Sequence, residues 1–229
     1  MKVKIYIINL NRSKHRRKHI AEQLLQTNIP YVFVNAVDGK NKQIYDFENY
    51  NQNTINITGK HLKPTEVGAF LSHTKAILQA QEDKVDWAII LEDDIIINKY
   101  FNDILNHIKN KDADCIRLYV RKLGLAKSKS KISKRKSYKN WGGALGYAIN
   151  QHGISKFIKT YNKFYMKIDN FLFGYWVHKL NIYQVDKNLV DIEQSINSDI
   201  GYDKLQKPKS NLLKRILYKT KYNICKMFN

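Results

Sequence analysis

Apolar runs of strand length alternate with segments of helical period along most of the chain. Residues 4–10 and 31–37 read as strands. Between them Ser13 can cap a helix to about Thr27, with Ile20, Leu24 and Leu25 on its inner face, and Pro30 ends the unit. Asp38-Gly39 signals a turn, and the polar, Asn-rich residues 41–60 read as a surface loop. Pro64 opens a helix to about Gln81, with Thr65 as its cap and Phe70, Leu71, Thr74, Ile77 and Leu78 along one face. Residues 114–120, 142–149 and 182–185 read as strands. Asn150 can cap a helix that carries Ile154, Phe157, Ile158 and Tyr161, and residues 171–180 read as an aromatic-rich helix. Strands alternating with helices predict an α/β domain with a mostly parallel central sheet, over residues 1–203, with no repeat and no second domain.

One stretch stands apart. Residues 85–91 climb through an apolar run to Glu92, Asp93 and Asp94, and Ile95-Ile96-Ile97 continue as a second apolar run. A buried strand would deliver these adjacent acids at its C-terminal end, where they repel one another. A solvated turn would explain them, but the isoleucines beyond argue that the chain stays inside. A hard cation, Mn²⁺ or Mg²⁺, would remove the repulsion, and one held by one or two carboxylates keeps positions open for substrate phosphates. That design suits an enzyme that uses a nucleotide diphosphate.

Charge and composition narrow the partners. The 229 residues suffice for one sizeable domain. Forty Lys and Arg against twenty Asp and Glu give +20, which predicts an anionic partner: a phosphorylated substrate, an anionic membrane surface or nucleic acid. The N-terminal apolar run is strand-sized and is expected to be no signal peptide. Cys115 and Cys225 lack metal-ligand spacing, and Cys115 reads as a buried thiol in a reduced compartment. Residues 121–139 hold nine Lys or Arg and no acid, which predicts a mobile basic loop. Residues 204–229 hold eight more, again with no acid. At 100° per residue, Leu213, Ile216, Leu217, Thr220, Ile224, Met227 and Phe228 share one face, opposite Lys214, Arg215, Lys219, Lys221 and Lys226. This is the pattern of a basic amphipathic helix lying on a membrane surface.

Several segments resemble glycosyltransferase family 25, the lipooligosaccharide galactosyltransferases of Gram-negative bacteria. They are Ile8-Asn9-Leu10 with Arg16-Arg17; Val37-Asp38-Gly39; Glu66-Val67-Gly68 with Leu71-Ser72-His73; Leu91-Glu92-Asp93-Asp94; Trp141-Gly142-Gly143 with Gly146-Tyr147; Ile168-Asp169; and Gln194 with Ser198-Asp199-Ile200. They recur in the family's order over residues 4–200. Ala69 replaces the usual Cys, no Gly closely precedes Glu66, and Asp191-Ile192-Glu193 is more acidic than the family pattern.

The resemblance implies a GT-A-like fold, a UDP-sugar donor and inversion at the anomeric carbon. It also implies a lipooligosaccharide acceptor and work on the cytoplasmic face of the inner membrane. Asn9, Leu10 and the following helix N-terminus would form the nucleotide crevice, with Arg16 on the diphosphate. Asp94, with Asp93 or Glu92, would hold the metal, or Asp93 the ribose. Asp169 and Glu193 are the candidate bases, Asp169 being equally placed as a helix cap. Asp38, Ser72, His73, Gly143, Tyr147, Gln194, Ser198 and Asp199 are candidate donor contacts, and Tyr147, Trp141 and Trp176 could stack on sugar or uracil. Galactose is the expected sugar, with glucose or N-acetylglucosamine as the alternative. A nucleic-acid-binding protein would use the same charge, but no known motif of that class is present. A non-catalytic carbohydrate-binding relative would have no need of Glu92, Asp93 and Asp94.

Overall fold

The computed structural model describes residues 1–40, 42–43, 47, 50–51, 54, 61–121, 123–134, 143–162, 164–193, 213, 216–217 and 220. A seven-stranded sheet runs through the centre, in the order β2-β1-β3-β7-β5-β8-β6. Its strands are β1 (Val3–Asn9), β2 (Tyr31–Asn35), β3 (Trp87–Glu92), β5 (Cys115–Arg117), β6 (Ile132–Lys134), β7 (Gly146–Asn150) and β8 (Ile182–Val185). β1, β2, β3, β5 and β8 run one way, while β7 and β6 oppose them. The sheet is thus mostly parallel, as the alternation of elements predicts, with one reversed strand at its heart and one at its edge.

The period of two along β1 divides the core. Tyr6 and Ile8 enter one cluster with helix α2 (Pro64–Glu82), α4 (Gln151–Ile158) and α5 (Ile168–Leu172). Ile5 and Ile7 enter the other, with α1 (Lys14–Leu24) and the segment that runs through the short helix α3 (Ile104–His107). Every residue of β3 from Trp87 to Leu91 is buried, because β3 sits between β1 and β7 with cover on both faces.

Three local differences from the pattern have plain causes. Lys63, not Thr65, is the N-cap of α2, because Pro64 takes the first helical position and Glu66 Oε2 accepts from Lys63 N at 2.9 Å. Residues 171–180 do not form one helix. They divide between α5 and α6 (Tyr175–His178), with Phe171, Leu172 and Phe173 buried. The basic segment is anchored rather than free: β6 pairs with β8, Ala126 N donates to Asn188 O at 3.0 Å, and Ser130 Oγ lies 2.6 Å from His107 Nε2. Its inward contacts use backbone and small side chains, so its lysines at 127, 129, 131 and 134 stay outside. Residues 135–139 fall outside the described residues, as does most of the basic tail.

Cys115 is buried and forms no disulfide among the described residues. Among the described residues no helix is long and apolar enough to cross a membrane.

The turn after β2 lies directly on α2. A Cβ added at Gly68 would stand 2.6 Å from Val37 O, and one at Gly39 would meet Pro64 O. Neither neighbour is a movable side chain. Gly68→Ala should therefore lower stability by about 1–3 kcal/mol, the usual range for overpacking. Gly124→Ala, with nothing within 4 Å of the new Cβ, should leave it near wild type. Urea unfolding of both variants checks the difference.

Candidate active site

The parallel strands β1, β2 and β3 end together at Asn9, Asn35 and Glu92, since Asn9 pairs with Asn35 and Ile8 with Glu92. A cleft opens beyond these ends, where an open α/β sheet offers a ligand site. It encloses about 680 Å³ including its mouth. Leu10 and Arg12 line it from the β1–α1 connection, Arg16 from α1, Val37, Asp38 and Gly39 from the turn after β2, Ser72 and His73 from α2, and Glu92, Asp93 and Asp94 from the end of β3 and the bend after it.

After Glu92 the chain leaves the large sheet. Asp93 and Asp94 make the bend, and β4 (Ile95–Ile97) pairs instead with β9 (Val190–Ile192) in a separate two-stranded sheet. Glu193 N donates to the carbonyl of Asp94 at 3.0 Å and fixes the bend from behind.

Each acid of the bend faces differently. Asp93 is buried: Asn9 Nδ2 donates to its Oδ2 at 2.6 Å and Arg16 to its Oδ1 at 3.1 Å. Arg16 reaches this place because it shares the inner face of α1 with Ile20 and Leu24 at intervals of four. Glu92 faces His73, whose Nε2 is 3.3 Å from its Oε1, and His73 Nδ1 lies 3.1 Å from Tyr147 Oη. Asp94 Oδ2 is 3.7 Å from the Arg16 guanidinium, while its Oδ1 is buried with no hydrogen-bond partner. Burial, then Glu92 and Asp93, push Asp94 up to about 7 against the pull of Arg16. Burial also raises Asp93, although Asn9 and Arg16 hold it down.

Among the described residues no three His, Cys, Asp or Glu side chains form a metal cage. Of the acids expected to hold a cation, Asp94 with Asp93 or Glu92, Asp93 is engaged by Asn9 and Arg16, and Glu92 faces His73. Asp94, with its orphaned buried oxygen, fits a cation whose other positions are filled from outside.

Asp38 and Ser72 line the cleft as expected, but both have internal partners. Asp38 pairs with Arg12 and accepts from Lys40 N at 2.9 Å. Ser72 Oγ donates to Gly68 O at 2.7 Å and accepts from Val37 N at 2.8 Å, tying the β2 turn to α2. Tyr147 has no exposed surface, so it supports His73 and does not stack on a ligand as the sequence reading allowed. Asp169 and Glu193 do not line the cleft. Asp169 is no helix cap, since Lys167 holds that position. It accepts from Gly143 N at 3.2 Å and Asn170 N at 2.8 Å, and burial raises its pKa. Glu193 Oε2 is 3.9 Å from His19 Nε2. Gln194, Ser198, Asp199 and Trp141 lie outside the described residues, as does the side chain of Trp176.

Two residues escaped the sequence reading. Arg12 looks like one more exposed cation until the fold brings the turn at Asp38 beside it. Arg117 did leave a signal, as a charge within the apolar run 115–120. It is fully buried, its guanidinium 4.3 Å from the Phe173 ring centre. Burial lowers it to about 10, while Cys115 and Asp169 oppose the fall.

The glycosyltransferase family 25 (LPS biosynthesis protein) profile matches residues 2–172, well over half the chain. The chain belongs to glycosyltransferase family 25. It is 26% identical to mouse procollagen galactosyltransferase 2 over 170 residues, which cover 67% of this chain and 27% of that protein. It is 30% identical to a putative glycosyltransferase of Haemophilus influenzae over 105 residues, 44% of this chain and 35% of that one. The family 25 chain thus spans only about a third or less of the matched relatives' length. The solved structure of A197 from STIV covers 83% of both chains at 13% identity and a TM-score of 0.49.

The buried charge at Asp94 has a measurable cost. Its pKa rises from an ordinary 3.8 to about 7 on folding, so between those values the folded chain holds a proton that the unfolded chain releases. Stability at this residue is therefore lost as pH climbs from 4 through 7. Asp94→Asn removes the effect. Without added divalent ion, the variant should melt above wild type at pH 8, and the gain should vanish toward pH 4. Thermal melts across that range check it.

Proposed function

We propose that this family 25 enzyme transfers a hexose, galactose from UDP-galactose, to a sugar of lipooligosaccharide or lipopolysaccharide, with inversion. The observation that supports the reading most is Asp94 Oδ1, a buried carboxylate oxygen without a partner, at the mouth of a strand-end cleft. Asp94 would hold Mn²⁺ or Mg²⁺ there. Such an ion, when bound, supplies charge stabilisation for the departing diphosphate. Galactose rests on the likeness to procollagen galactosyltransferases, and the acceptor on the family's description.

The chain's own residues would do the rest. Leu10 and the backbone of Val37 and Gly39 receive the nucleoside. Arg16 and Asn9 keep the acidic bend in register. In a single displacement an acceptor hydroxyl attacks the anomeric carbon, its proton passes to a carboxylate, and the bond to phosphate breaks with its electron pair leaving on UDP. Asp169 is the proposed base over Glu193. Burial raises its proton affinity, two backbone N–H groups fix its direction, and Glu92 is close enough to raise its pKa further. The Glu193 carboxylate lies beside His19, its Oε2 3.9 Å from Nε2.

A panel of UDP-sugars with a truncated lipooligosaccharide acceptor tests the reading. UDP-galactose should turn over and chelator should stop it. Asp169→Asn should lower kcat by about 100-fold or more, the usual share of a positioned base, with UDP affinity kept. Glu193→Gln should have a small effect. Turnover of UDP-glucose or UDP-N-acetylglucosamine instead would move the donor, and full activity of Asp169→Asn would move the base to Glu193.

The basic tail extends the proposal to the cytoplasmic face of the inner membrane. Leu213, Ile216 and Leu217 are exposed. Each lysine or arginine beside an anionic surface contributes about 1 kcal/mol, attenuated by salt. Removing residues 204–229 should abolish flotation with anionic vesicles at low salt while sparing hydrolysis of the nucleotide sugar. Equal flotation of both forms would reassign the contact to another surface.

A further inference from the structure

We propose that Arg12, rather than Arg16, receives the donor diphosphate, and that it leaves Asp38 to do so. The inference deepens the nucleotide-sugar reading and rests on it. Of the described side chains that line the cleft, Arg12 and Arg16 alone carry a permanent positive charge. They are not equivalent. The Arg16 side chain is 7% exposed and lies within 3.7 Å of both Asp93 and Asp94. If it turned to a phosphate, the buried Asp93 and the half-buried Asp94 would lose their counter-charge, so it is held where it is.

Arg12 stands at the rim, on the β1–α1 connection, with a side chain 38% exposed and a counter-ion, Asp38, 46% exposed. Exposed pairs hold their members weakly. A diphosphate offers more charge and two oxygens in the geometry that a guanidinium fork accepts, so the exchange favours the ligand. Asp38 is the stationary member. Its turn is fixed by Ser72 on Val37 N and by Gly39 against the carbonyl of Pro64. Arg12 therefore moves and Asp38 stays, its Oδ1 still accepting from Lys40 N. A nucleoside without phosphate offers Arg12 no reason to leave, so the pair discriminates the charged end of the ligand from the base and ribose.

Calorimetric titration with uridine, UMP and UDP, with and without Mn²⁺, tests this. Wild type should bind UDP far more tightly than uridine. Arg12→Ala should weaken UDP by at least tenfold and leave uridine unchanged, and Arg12→Lys should recover part of the loss. Asp38→Asn should raise the ratio of UDP to uridine affinity, because the diphosphate then no longer competes with the Asp38 charge for Arg12. Circular dichroism confirms that each variant is folded. An equal loss of uridine and UDP in Arg12→Ala would overturn the inference and make Arg12 a prop for its loop. No loss at all would overturn it in favour of Arg16 or the cation alone. Failure of wild type to bind either uridine or UDP would defeat the nucleotide reading itself, and the inference with it.

Discussion

Three successive carboxylates at the end of a buried strand must each find a different way to exist. Their backbone spacing keeps them within a few ångströms, where mutual repulsion is strong in a partly dehydrated site. Asp93 is neutralised by Arg16 and oriented by Asn9. Glu92 faces the His73–Tyr147 pair. Asp94 shares Arg16 through Oδ2 and keeps Oδ1 buried without a hydrogen-bond partner. Much else in the fold serves this division. α1 must turn Arg16 inward, β1 must end at Asn9 in register with Glu92, and β7 must bring Tyr147 behind His73.

The second constraint is the exit of the chain. Had β3 continued, the acids would have entered the sheet between β1 and β7. The move of β4 to β9 places the bend at the rim instead, with the Asp94 carbonyl held by Glu193 N. On the other side, two glycines let the β2 turn rest on the backbone of α2, and Ser72 ties them. The wall of the cleft at the β2 turn thus rests on backbone contacts that no side-chain motion can relax, which suits a site that must hold Asp38 at a fixed place.

The sequence was most legible where period and burial agree. Residues 182–185 form a strand as read, and Asn150 caps its helix through Gly153 N. The blocks at Asn9, Asp38, Ser72-His73 and Glu92-Asp93-Asp94 do assemble around one cleft, but mere ordering along the chain could not say which of them line it. Asn9 sits beneath Asp93, and Tyr147 behind His73. The partner choices were not legible either. Whether Arg16 meets a ligand or a neighbouring acid depends on the angle between α1 and β3, which no local pattern encodes. Short strands were the other loss. β6 and β9 have three residues each, too few for a period, and β6 lies within a run whose lysines read as loop.

The charge of the cleft opposes the charge of the chain. Across the whole protein lysine and arginine exceed acids by 20. Around the cleft four carboxylates, Asp38, Glu92, Asp93 and Asp94, face two arginines. The positive excess therefore lies elsewhere, on the ribbon that carries β6 and on the surface at large, and it acts over distances that salt shortens to about 10 Å. It can draw an anionic acceptor or surface toward the molecule, but it does not offset the repulsion that a diphosphate would meet beside Asp94. A divalent cation at Asp94 Oδ1, buried without a hydrogen-bond partner, would supply that offset, and Arg12 would supply the rest once it left Asp38. This local deficit, more than the presence of adjacent acids, is the physical reason for proposing metal dependence in a protein so rich in lysine.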